Sequence, residues 1–182
     1  HLLTGIGGYK GRSLMKDDEI NFAGSDTKNF KRQCVKKEIV NEIMSNKKIF
    51  VTKAPQSNYF STETLELFSS STYIVCEEAD RMGLRLIGSA LRQINNKDII
   101  TEGVSLGAIQ VSHDGNPIIL FVEHQTTGGY PKIANVISAH LHKIGQLRPR
   151  DEIKFSFVSI EEAYKLRIGL ESLISPESLI SI

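Results

Sequence analysis

The sequence predicts a mainly β domain of barrel type with a few short helices. Three observations carry this: many apolar runs of strand length, few stretches with sustained helical spacing, and a hairpin signal between two runs. Lys48-Ile49-Phe50-Val51-Thr52 reads as a strand stopped by Ala54-Pro55, since the residue before a proline is held extended. Ser61 is an N-cap candidate, with Phe60 and Leu65 spaced as a hydrophobic staple and Phe68 on the Leu65 face. Ser69-Ser70-Ser71 marks a turn, and Tyr73-Ile74-Val75-Cys76 reads as the next strand. Ile109–Ser112 and Pro117–Val122 flank His113-Asp114-Gly115-Asn116, where Asp-Gly predicts a two-residue hairpin turn. Ile153, Phe155 and Phe157 alternate with polar residues, as a half-buried strand requires. Ser159-Ile160-Glu161-Glu162 forms a capping box that opens a helix over about Ile160–Leu170. One segment fits two states. Ile133, Val136, Ile137, Leu141 and Ile144 have helical spacing, whereas the β-branched residues and the alternation of Ile133-Asn135-Ile137 suit a strand.

The 182 residues suffice for one ordinary domain or two very small ones. Lys and Arg (22) balance Asp and Glu (21), which argues against a nucleic-acid grip on a basic surface and against a polybasic membrane patch. The longest aliphatic-aromatic run, Ile118–Val122, is far too short for a bilayer-spanning helix. Cys34 and Cys76 lack metal or redox spacing, so reduced thiols in a cytoplasmic protein are expected. Positions 1–15 carry glycines where a signal peptide needs an apolar segment, and the opening Leu2-Leu3-Thr4-Gly5-Ile6-Gly7-Gly8 reads like the middle of a strand and turn. The chain is therefore expected to be a fragment or processed product. Gly24-Ser25-Asp26-Thr27-Lys28-Asn29 has turn or linker chemistry, Glu38–Met44 fits a short helix or a wandering tail, and the text becomes denser after Asn46.

Three clusters can carry chemistry. Glu123-His124-Gln125-Thr126-Thr127-Gly128-Gly129-Tyr130-Pro131-Lys132 follows a buried-looking strand and gathers an acid, an imidazole, hydroxyls and an ammonium. Gly128-Gly129 lets the backbone approach a ligand, successive amides can form an anion nest, and Lys132 can neutralise a carboxylate or phosphate. A polar turn with a solvated Lys132 is the competing reading. Arg81 and Arg85, in Glu77–Leu86, can fork onto a substrate carboxylate or onto a neighbouring acid such as Asp80. Glu102, in Thr101–Gln110, can act as a base or orient a cation, or can sit in a plain loop before a strand.

Other motifs fail. Gly5-Ile6-Gly7-Gly8-Tyr9-Lys10 has Lys where the dinucleotide fingerprint needs Gly, and the sequence lacks a phosphate-binding Walker loop and a Gly-x-Ser-x-Gly elbow. His140 and His142 have no acid or thiol at a spacing that completes a zinc site, so no metal is expected.

Taken together the clusters resemble one family. Glu78–Gly88 is similar to its (S)DRMGxRLxG motif, Glu102–Val111 to SEGVxxGxIQV, Gln125–Ala134 to QTTGGYPKIA, and Gly7–Arg12 to GGxxGR. These motifs occur in the biotin-dependent carboxyltransferase, or allophanate hydrolase subunit 2, family, which includes KipA and the C component of 5-oxoprolinases. The resemblance implies a cyclophilin-like β-barrel over residues 47–170, preceded at 1–46 by the end of a related half-domain and followed by a carboxy-terminal tail at 171–182. It also favours a strand for Lys132–Ser138. Three positions depart from the pattern: His140-Leu141-His142 replaces an acid and Leu-Pro, Arg150 stands at a Gly turn position, and Glu123-His124 replaces Asp-Arg.

The resemblance implies a subunit of an ATP-dependent 5-oxoprolinase, opening 5-oxoproline to glutamate with a subunit-1-like (KipI-type) partner. ATP would be bound by this chain or by that partner. The alternatives are a KipA-type regulatory docking module and, with biotin as cofactor, the carboxyltransferase part of a urea carboxylase system. Lys132, Glu102 and Glu123 are the expected catalytic groups. Arg81, Arg85, Gln125, Thr126, Thr127, Gly128, Gly129 and Tyr130 are expected to bind a small amide substrate. Neither nucleic acid nor membrane is an expected partner, and homo-oligomerisation stays open.

Overall fold

Alternation of buried and exposed side chains builds the wall of this fold. The structure is a computed structural model that describes residues 4–21, 24, 33–44, 48–95, 99–175 and 178–181. Two compact units emerge, His1–Gln33 with Ser181–Ile182, and Cys34–Ile180. The strands are β1 (Gln33–Val35), β2 (Lys48–Lys53), β3 (Thr72–Val75), β4 (Gly83–Ile87), β5 (Glu102–Gly103), β6 (Ala108–Val111), β7 (Pro117–Leu120), β8 (Thr127–Gly128), β9 (Lys132–Val136), β10 (Glu152–Phe157) and β11 (Leu179–Ser181). Seven of them close a barrel in the order β10-β2-β9-β6-β7-β4-β3, while β5 pairs with β8 and β1 with β11. The β10–β2 pair is parallel and the other barrel pairs are antiparallel.

Inward positions follow the period of two. Ile49 and Val51 of β2, Tyr73 and Val75 of β3, Leu84 and Leu86 of β4, and Ile153 and Phe155 of β10 are all buried. Their intervening neighbours Ile74, Arg85 and Ile87 are exposed. Helix α1 (Lys37–Met44) matches the short helix expected there, although most of the linker-like stretch before it lies outside the described residues. Helix α2 (Thr62–Ser70) begins where expected, with the Ser61 hydroxyl accepting from the Thr64 amide at 3.2 Å. Phe68 of α2 stacks on Phe155 at 4.5 Å and tilts against Tyr73, so the helix covers the barrel core there. Burying an aromatic of that size is worth about 1.5–3 kcal/mol. Ser69 and Ser70 belong to the last turn of α2 and not to a separate turn, because each hydroxyl returns to the Glu66 carbonyl.

Two further expectations change in detail. The β6–β7 loop has three residues, not two: Ser112 N donates to Asn116 O at 3.1 Å, and Gly115 closes the turn onto Ser112 O with φ +83°. Asp-Gly serves this bulged form because only the glycine has to take the left-handed conformation. The segment that fitted two states uses both in succession. β9 ends at Val136, a 3-10 turn covers Ser138–His140, and helix α3 (Leu141–Ile144) follows. Helix α4 (Ile160–Leu173) runs three residues beyond the sequence expectation, capped by Ser159 Oγ accepting from Glu162 N at 3.1 Å.

In the smaller unit, Tyr9 and Arg12 exchange backbone hydrogen bonds of 3.0 and 3.1 Å across a glycine-rich turn. The Arg12 guanidinium forks onto Asp18 at 2.6 and 2.7 Å. Among the described residues, no helix is long and apolar enough to cross a membrane.

Candidate functional site

A single extra residue organises the site. Ile109 pairs with Ala134, yet the next residue, Gln110, pairs with Lys132, so Ile133 is the added residue of a β-bulge on β9. A bulge re-aims the side chains beside it. It puts Lys132 directly opposite Gln110 while Ile133 stays fully buried.

The β5–β8 ribbon meets this pair. Glu102 lies opposite Gly128 and Gly103 opposite Thr127, and Val104 N donates to Thr126 O at 3.0 Å. A Cβ on Gly128 would come within 2.6 Å of Gln110 Nε2, so the glycine lets the ribbon rest on Gln110. Gln110, 1% exposed, donates to the Tyr130 carbonyl at 3.0 Å. Lys132, 6% exposed, gives its ammonium to Glu102 Oε1 and to the Gly103 carbonyl at 3.3 Å. Gln56 completes the cluster: its Nε2 donates to the same Glu102 oxygen, and its Oε1 accepts from Lys132 N at 3.4 Å. The Lys132 ammonium beside it holds the Glu102 carboxyl below the usual carboxylate range, and the Gln56 contact adds to this against the opposing effect of burial. At neutral pH Glu102 is therefore a carboxylate, and among the described residues the Lys132 Nζ donates to two acceptors of the three it can serve.

The structure divides the other expected residues. Gln125, Thr126, Thr127 and Gly129 are exposed on the loop, while Gly128 is buried. The Tyr130 ring meets His113 edge to face at 5.2 Å. Arg81 and Glu123 pair with each other at 3.0 Å on the surface, with Glu123 N donating to Arg81 O at 2.9 Å. Asp80 orders that loop, though not through an arginine: its Oδ1 accepts from Met82 N at 2.8 Å and Gly83 N at 3.0 Å. Arg85 stands on the outer face of β4 between inward Leu84 and Leu86. Neither arginine hydrogen-bonds or ion-pairs with Lys132 or Glu102. His140 and His142 are also engaged separately, His140 Nδ1 accepting from Phe50 N at 2.9 Å and His142 Nε2 lying 3.3 Å from Ile43 O. Gln56 is the member that sequence reasoning missed. It sits in a turn after Pro55, and nothing in its neighbours marks it.

Comparison with known proteins places the chain in a family. Residues 1–157 match the family described as "Carboxyltransferase domain, subdomain A and B", and the chain belongs to it. The C component of 5-oxoprolinase from Escherichia coli (strain K12) is 32% identical over 166 residues, covering 91% of this chain and 52% of that protein. Its counterpart of the same name from Haemophilus influenzae is 34% identical over 164 residues, covering 89% and 50%. The chain thus spans about half the length of these relatives. The crystal structure of Kluyveromyces lactis urea carboxylase superposes with a TM-score of 0.66 at 30% identity, over 74% of this chain and 13% of that one.

Proposed function

We propose that this chain is part of an ATP-dependent 5-oxoprolinase that opens 5-oxoproline to glutamate together with a subunit-1-like partner. The observation that carries the reading is buried Lys132 paired with partly exposed Glu102 beside the Gly128-Gly129 backbone, in a chain whose relatives bear that name. Opening a lactam with ATP means activating an unreactive amide oxygen by phosphorylation. Cations and amide donors fixed near that oxygen stabilise the charge that develops on it. Glu102 and the Gly103 carbonyl hold the Lys132 ammonium in place and, among the described residues, leave it one N–H to give, while Gln56 fixes the Lys132 backbone amide and the Glu102 carboxylate. Glu102 or Glu123 moves the proton; Glu102 is the better placed, because it lies beside Lys132 whereas Glu123 pairs with Arg81 on the surface.

A KipA-type docking role has its own support. Met82 (46% exposed) and Val122 (51%) flank the Arg81–Glu123 pair and leave apolar surface beside two charges. On the enzyme reading the same surface receives the partner subunit. Carboxyl transfer is a third reading, and it requires a biotinylated carrier.

The test is 5-oxoproline-dependent ADP release by the full-length protein mixed with its partner subunits, with this subunit omitted as control. Turnover that needs both 5-oxoproline and this subunit is expected. Stable co-elution with no turnover would overturn the reading in favour of the docking module.

A further inference from the structure

The loop that delivers Lys132 to Glu102 presents its other side to a separate cleft of about 560 Å³. Its walls are the 90–93 segment, the β6–β7 turn and Gly129-Tyr130-Pro131. The size suits a small ligand. Several polar groups on these walls lack partners among the described residues. The carboxamide oxygen of Gln93 is buried without a hydrogen bond to any of them. Among the described residues the Arg92 guanidinium forms no ion pair, only its backbone carbonyl being used, by Thr64. His113 and Tyr130 touch each other edge to face, and neither ring's polar atom has a protein partner among the described residues. Asp114 is tied into the turn instead: it accepts from Ser112 Oγ and, at 2.7 Å, from Asn116 Nδ2.

We infer that this cleft binds a small monocarboxylic acid that also carries an amide N–H, with Arg92 taking the carboxylate and Gln93 accepting from the N–H. The charges select such a two-ended ligand. Arg92 forks onto a carboxylate. The Asp114 hydrogen bonds to Ser112 and Asn116 hold its carboxyl below the ordinary range, so its charge disfavours a dianion such as phosphate and favours a donor at that end. A buried acceptor without a partner is costly, and the terminal torsion of a glutamine is soft, so the Gln93 amide can turn toward an incoming N–H and recover that cost. Tyr130 then links the two sides of its loop: its ring lines the cleft while its carbonyl is held by Gln110, the neighbour of Lys132. The choice of 5-oxoproline as the natural member of this ligand class rests on the proposed 5-oxoprolinase reading, on which the cleft is a second place for that ligand, apart from the one beside Lys132.

The experiment is isothermal titration of the full-length protein with 5-oxoproline, 2-pyrrolidone (the ring without the carboxylate), cyclopentanecarboxylate (the ring without the amide) and inorganic phosphate. Tightest binding of 5-oxoproline is expected, weakened roughly tenfold or more when either end of the ligand is missing, as loss of a charge-assisted or buried hydrogen bond predicts. Arg92→Ala and Gln93→Met should each weaken 5-oxoproline by a similar factor. Arg92 is exposed, so its variant tests the ligand and not the fold. Preference for phosphate, absence of 5-oxoproline binding, or unchanged affinity in both variants would overturn the inference. Turnover measured alongside separates the two claims. Full turnover in Arg92→Ala with unchanged binding sinks the cleft and leaves the 5-oxoprolinase reading. Binding that depends on Arg92 and Gln93, with no turnover by the assembled enzyme, sinks that reading and leaves the cleft.

Discussion

Lys132 stands opposite Gln110 because Ile133 is the extra residue of a bulge, and each of the two then holds a different part of the site. Gln110 fixes the Tyr130 carbonyl and Lys132 fixes Glu102. Gln110→Leu keeps the volume but takes the buried donor away from the Tyr130 carbonyl. A loss of roughly 1–2 kcal/mol is expected, the usual cost of a buried group left unpaired. Urea denaturation of the variant beside the parent protein reads it, and equal midpoints would show that Gln110 only fills space.

The Lys132–Glu102 pair should be far more sensitive than the exposed Arg81–Glu123 pair. Glu102→Gln leaves a buried ammonium without its counter-charge, and such breakage is strongly destabilising when the remaining charge is out of water. Glu123→Gln breaks a pair whose side chains are 72% and 47% exposed, which is worth at most about 1 kcal/mol. The Tm of Glu102→Gln is therefore expected to fall clearly below that of Glu123→Gln. Acid should act in the same direction. Because the folded Glu102 carboxyl titrates below its ordinary 4.5, its contribution is complete above that pH and is lost as the pH falls through the lowered folded value. Identical Tm values for the two variants at pH 7 would refute the account of Lys132 as a buried charge that depends on Glu102.

Strands were legible where an apolar face alternates with a polar one, as in Ile153–Phe157, and where a short apolar run is bounded by turn residues, as in Tyr73-Ile74-Val75. The site was legible only as a set of residue types. Lys132, Glu102 and Gly128 were singled out, and they do meet, but the bulge that brings Lys132 to Gln110 leaves no mark in the apolar run Ile133-Ala134. Gln56 arrives from a turn distant in sequence, and Arg81 finds Glu123 through loop geometry that spacing does not encode. The length of the β6–β7 loop was also hidden, since Asp-Gly suits both the two-residue and the three-residue turn.

Glycine positions give a prediction about packing. A Cβ on Gly88 would lie 2.5 Å from Tyr73 Cδ1 and 3.0 Å from the Thr72 carbonyl, and Tyr73 is fully buried against Phe68 and Phe155. Gly88→Ala must push the ring off its neighbours, a form of overpacking that costs about 1–3 kcal/mol. Gly103→Ala, with no atom within 4 Å of the new methyl, serves as the control and should fold like the parent. Thermal unfolding of the pair is the measurement, and a Gly88→Ala Tm equal to that of the control would show that β3 and β4 yield without strain.

The last prediction concerns acid. His140 packs its ring on Phe50 at 4.8 Å and accepts the Phe50 N–H through Nδ1, so the neutral imidazole is the form the fold uses. Burial, helped by the nearby Lys143 and His142, lowers its pKa from 6.5 to about 4. The folded value lies below the unfolded one, so between these two pH values the unfolded chain takes up a proton that the folded chain refuses. Stability from this group is complete above pH 6.5, declines as the pH falls, and levels off below about 4. The full shift corresponds to about 3 kcal/mol, and screening by water near the charged neighbours brings the expectation to roughly 1–2 kcal/mol. His140→Gln keeps an acceptor for the Phe50 amide but removes the titration. Urea midpoints at pH 7 and pH 5 should therefore differ less in His140→Gln than in the parent protein, with the acidic groups common to both cancelling in the comparison. An unchanged difference would place the acid sensitivity of this fold in its carboxylates instead of in His140.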